Sequence, residues 1–102
     1  MKVYVAGPYT LGDTAINVAN AIHTGDKLLE MGHYPYIPHL THFWHLLSHK
    51  PHDVWLDLDL KFLAICDCLL RLPGKSEGAN LEVFTAGKLN IPVYYDIKDI
   101  KG

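Results

Sequence analysis

Two acidic residues are marked out by what surrounds them. If residues 53–65 form a helix, the neighbours of Asp59 are Trp55, Leu56, Phe62 and Leu63, all apolar. An exposed helical acid usually has a Lys or Arg three or four residues away, as Asp57 has in Lys61. A carboxyl buried among aromatics without a partner has a raised pKa, which suits proton transfer near neutrality. The same residue could do no more than accept a hydrogen bond from a loop. Glu82 has a similar signature, since its helical neighbours are Gly78, Ala79, Thr85 and Ala86. Small neighbours leave room for a ligand or a close-packed element, and an unpaired surface glutamate is the simpler alternative. Together, two carboxylates at one ligand edge suit glycosyl chemistry. One attacks or stabilises the anomeric carbon and the other handles protons.

The stretch before Glu82, "GKSEGAN" from Gly74 to Asn80, adds an anion cradle. Gly74, Ser76 and Gly78 precede a helix whose first N–H groups lack intrahelical partners, and Lys75 could add a charge. A turn with a helix cap would look the same. Glu77 reads as a solvent charge. His39, His42, His45, His49 and His52 invite a metal reading, and His42, His45 and His49 would align on one helical face. There is no His-Glu-x-x-His motif and no matched cysteine pair nearby. The expectation is a rim of histidines and aromatics that stacks on or hydrogen-bonds a base, with no metal and no cofactor.

The elements that must position these groups alternate between strand and helix. "KVYVA" (2–6) reads as a buried strand ending at Gly7-Pro8. A helix is expected from about Thr14 to Met31, with Ile16, Ala19, Ile22 and Leu29 as its apolar face. Asp13 or Thr14 would cap it and Gly32 would end it. "YPYIP" (34–38) is a short or edge strand because of its prolines. Residues 39–52 read as irregular, and Asp53 to about Ile65 as a helix. "CDCLLRL" (66–72) reads as a buried strand, then a helix runs from Ser76 or Gly78 to Leu89, and "IPVYYDI" (91–97) as a final strand. The pattern predicts one α/β domain over residues 1–102. It would be a Rossmann-like or flavodoxin-like three-layer sandwich on a parallel sheet of four to five strands. Ligands bind such sheets at the carboxyl ends of the strands. There the rim is "AGPYT", "PHLTHFWH" and "PGKSEGAN", so Gly7, Pro8, Tyr9, His39, Ser76, Gly78 and Asn80 become candidate substrate contacts.

Composition excludes several partners. A chain of 102 residues with net charge −2 gives no basis for binding polymeric nucleic acid or an anionic membrane. The start "MKVYVAGPYT" does not read as a signal peptide, and no apolar run reaches membrane-spanning length. A cytoplasmic location is expected. Cys66 and Cys68 are expected to be buried, unbridged thiols on opposite faces.

"VYVAGPYT", "DLDLKFLAICDCLL" and "SEGANLEVFTAGKLNIPV" together resemble the nucleoside 2-deoxyribosyltransferase superfamily, which includes the 2'-deoxynucleoside 5'-monophosphate N-glycosidases. The similarity runs in order through nearly the whole chain, most loosely over residues 39–52. The superfamily's spacing of two aspartates is met by Asp59 and Asp67, and its loop-helix pattern by Ser76, Gly78 and Glu82. The resemblance implies that Glu82 is the nucleophile at C1' of a deoxyribosyl group and that Asp59 helps the base leave. It implies that Tyr4 holds the nucleophile, with Tyr9 a second candidate, and that Ser76 binds a 5'-phosphate. A small nucleoside or nucleotide is then the substrate. The chain is shorter than the well-known transferases, so a homodimer or larger homo-oligomer is expected to close the site. Two other readings stay open: a nucleotide-binding module that turns nothing over, and a histidine-rich metal hydrolase on the same scaffold.

Overall fold

The computed structural model describes residues 1–101. Four parallel strands, β1 (Lys2–Ala6), β2 (Tyr34–Tyr36), β3 (Cys68–Arg71) and β4 (Val93–Tyr94), lie in the order β2-β1-β3-β4. That is the flavodoxin-like order, in which the chain reverses direction across the sheet beside β1 and β3. The helices are α1 (Thr14–Glu30), α2 (Thr41–Leu47), α3 (His52–Leu63) and α4 (Glu77–Lys88). Strand alternation divides the core in two. Val3, Val5, Cys68 and Leu70 face α1 through Ala21 and Leu28. Tyr4, Ala6 and Leu69 face Leu63 of α3 and Ala79 and Ala86 of α4. The expected three-layer α/β sandwich is therefore present.

Local chemistry explains most element ends. Asp13 caps α1 by accepting from the Ile16 N–H at 3.1 Å. At the other end Gly32 takes φ +88°, and the N–H groups of Gly32 and His33 return to the carbonyls of Leu29 and Leu28. β2 is short and at an edge, where Pro35 costs no ladder hydrogen bond.

Three expectations need correction. The buried face of α1 is Val18, Ala21, Gly25 and Leu28, whereas Ile16, Ile22 and Leu29 are exposed. Both sets have helical spacing, and only the position of the sheet selects between them. Residues 39–52 are not irregular throughout: a 3-10 turn at Pro38–Leu40 leads into α2. The final strand shrinks to Val93–Tyr94, because Asp96 accepts from the Lys98 N–H at 2.9 Å and starts a turn. Cys66 and Cys68 do lie in opposite core halves. Strand alternation is not the cause, since it repeats every second residue; Cys66 stands in the turn before β3. Among the described residues no helix is long and apolar enough to cross a membrane.

Candidate active site

Tyr4 and Tyr36 are in register on the neighbouring strands β1 and β2. Their rings stack with centroids 5.4 Å apart, and Tyr36 stacks in turn on Phe62 of α3 at 4.7 Å. Each tyrosine hydroxyl donates to one of the two carboxylates. Tyr4 donates to Glu82, and Tyr36 donates to Asp59 Oδ1 at 3.1 Å. Two strands and two helices thus fix a pair of acid–phenol couples at the carboxyl ends of β1 and β2.

The helices deliver these acids by periodicity. Asp59 lies one turn after Trp55 on α3, and both line a cavity of about 400 Å³. Glu82 lies one turn after Ala79 on α4, and its side chain leans toward the helix start and the same cavity. Ser76 begins α4 by accepting the Ala79 N–H at 3.0 Å.

Burial governs the electrostatics. Glu82 is 8% exposed. Loss of water raises its pKa to about 7; the Tyr4 hydrogen bond opposes this, Asp59 adds to it, and Arg71 opposes it. Asp59 is raised to about 6 by burial, against the Tyr36 hydrogen bond and the charge of His52. Burial raises both tyrosines well above the ordinary phenol range, reinforced by the adjacent carboxylates. The phenols therefore stay protonated as donors, while the acids exchange protons near neutrality.

Of the residues singled out in the sequence, Gly7, Tyr9, His39, Asp59, Ser76, Gly78 and Glu82 line the cavity. Tyr4 is fully buried beneath it and reaches it only through Glu82. Tyr9 does not hold the nucleophile candidate, because its hydroxyl is 2.5 Å from His42 Nδ1. Pro8 and Asn80 lie outside the cavity lining. The Pro8 carbonyl faces His39 Nε2 at 2.8 Å, and Asn80 Oδ1 accepts from Arg71 at 3.1 Å. Both are positioned to support the rim rather than touch what fills it. Lys75 is exposed and also outside the lining. Asp67 is at the opposite end of the sheet, where it accepts the Lys2 N–H at 2.7 Å.

His39 carries an unsatisfied atom. It is 5% exposed, and its Nδ1 has no hydrogen-bond partner. The Pro8 carbonyl can only accept, so the His39 proton sits on Nε2 and Nδ1 offers a bare lone pair. Burial holds the pKa of this ring below its ordinary value, partly offset by backbone hydrogen bonds at Pro8 and Gly7. Among the described residues no three His, Cys, Asp or Glu side chains are grouped to hold a metal ion.

Tyr36 and Arg71 were not singled out in the sequence, Trp55 entered only as an apolar neighbour of Asp59, and His45 only as one of five rim histidines. Strand register, which brings Tyr36 beside Tyr4, has no local signature. Arg71, buried at the end of β3, donates to the carbonyls of Leu72 and Gly74, the latter at 2.9 Å, and so holds the loop before Ser76.

Known proteins share this architecture. A 2-deoxyribosyltransferase from the psychrotolerant bacterium Bacillus psychrosaccharolyticus superposes with a TM-score of 0.64 at 18% identity, over 95% of this chain and 76% of that one. A 2-deoxyribosyltransferase from Leishmania mexicana superposes with a TM-score of 0.64 at 17% identity, over 90% of this chain. The chain spans only 61% of the length of that Leishmania enzyme. No curated protein matches the sequence significantly. At these identities the likeness is one of fold, which the resemblance of the sequence motifs had led us to expect. The sequence match itself is to a domain of unknown function, DUF7768, over residues 1–96, and the chain belongs to that family.

Proposed function

We propose that this protein cleaves or transfers at the N-glycosidic bond of 2'-deoxynucleosides or their 5'-monophosphates. The observation that carries the reading is the buried Glu82, held by Tyr4 in the lining of a nucleoside-sized cavity that also contains Asp59. In this mechanism the Glu82 carboxylate attacks C1' and forms a glycosyl ester. The C1'–N bond breaks with its electron pair going to the base, which takes a proton from Asp59. Water, giving a proton back to Asp59, releases the sugar as a hydrolase would; a second base instead gives transfer. The 2-deoxyribosyltransferase names of the structural neighbours agree with this chemistry.

Gly7, Tyr9, His39 and Gly78 would contact the substrate, and Pro8 and Asn80 would shape the rim they sit on. The bare His39 Nδ1 is matched by a hydroxyl or amino donor of the ligand. Ser76 uses a lone pair on the Ala79 N–H and retains its own proton to donate to a 5'-phosphate. Self-association belongs to the same proposal, because α2 has no buried residue and exposes Phe43, Leu46 and Leu47. Sedimentation equilibrium is expected to give at least twice the 11.5 kDa chain mass; a strict monomer would refute it.

The test is incubation with a panel of deoxynucleosides and deoxynucleotides, with and without an added free base, followed by chromatography. Base release is expected from the wild type and should fall at least about a thousandfold in Glu82→Ala. Undiminished release by that variant would sink the mechanism. Tight binding with every ligand intact after hours, and unchanged affinity in Glu82→Gln, would point to a binding module.

A further inference from the structure

The wall of the cavity beyond Asp59 contains a histidine whose protonation pattern is set by its neighbours. His45, on α2, lines the cavity. Its Nδ1 receives the indole N–H of Trp55 at 2.7 Å and, more weakly, the backbone N–H of Lys50 at 3.4 Å. Indole and amide N–H groups only donate, so Nδ1 must be the unprotonated nitrogen. A neutral His45 therefore carries its proton on Nε2, which has no hydrogen-bond partner among the described residues. Trp55 is itself anchored: it is 9% exposed, packs edge-on against Trp44 at 5.1 Å and meets the His45 ring at 5.8 Å. The indole is thus a rigid donor that keeps the imidazole from exchanging its tautomers.

We propose that His45, locked by Trp55, is a specificity-determining residue that presents a hydrogen-bond donor to the nucleobase and selects oxo bases over amino bases. The inference rests on reading the cavity as a deoxynucleoside site. In that reading the base leaves beside Asp59, and Trp55 is one turn from Asp59 on the same helix face. The edge of the base that faces away from the sugar then meets the wall that contains His45. A carbonyl oxygen there accepts the Nε2–H. An exocyclic amino group sets donor against donor and leaves both desolvated groups unpaired. Protonation would not reverse the preference, because imidazolium is a donor at both nitrogens. It would instead break the Trp55 contact. Burial first, then the positive charges of His49, His42 and Lys50, hold His45 below its ordinary pKa and favour the neutral ring.

The comparison uses matched pairs that exchange an oxo for an amino group at one carbon, with the adjacent ring nitrogen changing from N–H to a bare lone pair: 2'-deoxyinosine against 2'-deoxyadenosine, and 2'-deoxyuridine against 2'-deoxycytidine. Dissociation constants are measured on the Glu82→Gln protein, where nothing is turned over. Each oxo member is expected to bind at least about tenfold more tightly than its amino partner, the effect of one mispaired buried polar contact. Nitrogen-15 shifts of the free wild type should show His45 as the Nε2–H form. His45→Phe, which keeps a ring but no donor, should bring both ratios close to one. Trp55→Phe, which frees Nδ1, should do the same while the ring remains. A ratio near one or inverted in the Glu82→Gln protein, an Nδ1–H tautomer, or a ratio that survives the addition of His45→Phe would overturn the proposal. Binding without discrimination would sink this inference alone. Failure of all four ligands to bind, both as nucleosides and as their 5'-monophosphates, would sink the deoxynucleoside reading with it.

Discussion

In the proposed reaction Glu82 must be an anion to attack, yet its surroundings favour the acid. The raised values, about 7 for Glu82 and about 6 for Asp59, place both titrations where one proton is shared between the pair. The proposed reaction uses the minor singly protonated form, with Glu82 ionised and Asp59 carrying the proton. The higher value of Glu82 keeps the shared proton on Glu82 in the major form. At low pH both are protonated and there is no nucleophile; at high pH no acid remains for the leaving base. A bell-shaped rate profile with its maximum between about pH 6 and 7 is expected. Tyr4 is the lever on the Glu82 titration. Its hydroxyl favours the Glu82 carboxylate, so Tyr4→Phe should move the upper limb, which the higher value of Glu82 sets, to higher pH and lower the maximum rate. A hydrogen bond to a charged group contributes about 1.5–3 kcal/mol, which corresponds to roughly one to two pH units. A profile unchanged by Tyr4→Phe would deny Tyr4 this role.

The elements act by bringing distant stretches to one rim. α4 starts where it does because Ser76 caps it, and this start sets which residues of the helix lean into the cavity. Ser76→Ala should lower stability by about 1 kcal/mol in urea titration, as loss of an N-cap does. If Ser76 also contacts a phosphate, the same variant should weaken binding of 5'-monophosphates more than of nucleosides. The preceding loop is held from below by Arg71 and closely from the side by Pro8. A Cβ on Gly74, whose φ is +114°, would come within 2.7 Å of Pro8 Cγ. Much of this was legible in the chain. Ser76 with Gly78 and Glu82 announced a capped helix carrying an acid, and the alternation in "KVYVA" announced a strand with two faces. α2 was not legible, because its apolar Phe43, Leu46 and Leu47 are exposed, outside the buried core, and so carry no core signal.

At the scale of the whole molecule the site costs stability. Glu82 has a folded-state pKa above its ordinary value of 4.5, so the fold binds its proton more tightly than the unfolded chain does. Its contribution is complete below about pH 4.5 and is lost as pH rises through about 7. Glu82→Gln should therefore be more stable than the wild type at pH 8, by on the order of 2–3 kcal/mol, with the gap closing at low pH. Denaturant titrations at pH 4 and pH 8 check this, and a pH-independent gap would contradict it. The sequence by itself determined the α/β alternation, the parallel layers, and the identity of two acids without helical cations. These follow from short-range patterns of polarity, capping and turn residues. Only the tertiary structure decided which apolar face of α1 is buried, that Tyr36 stands beside Tyr4, and that Arg71, His45 and Trp55 support the cavity. Those facts depend on strand register and helix placement. They arise between residues far apart in the chain, where local spacing carries no information.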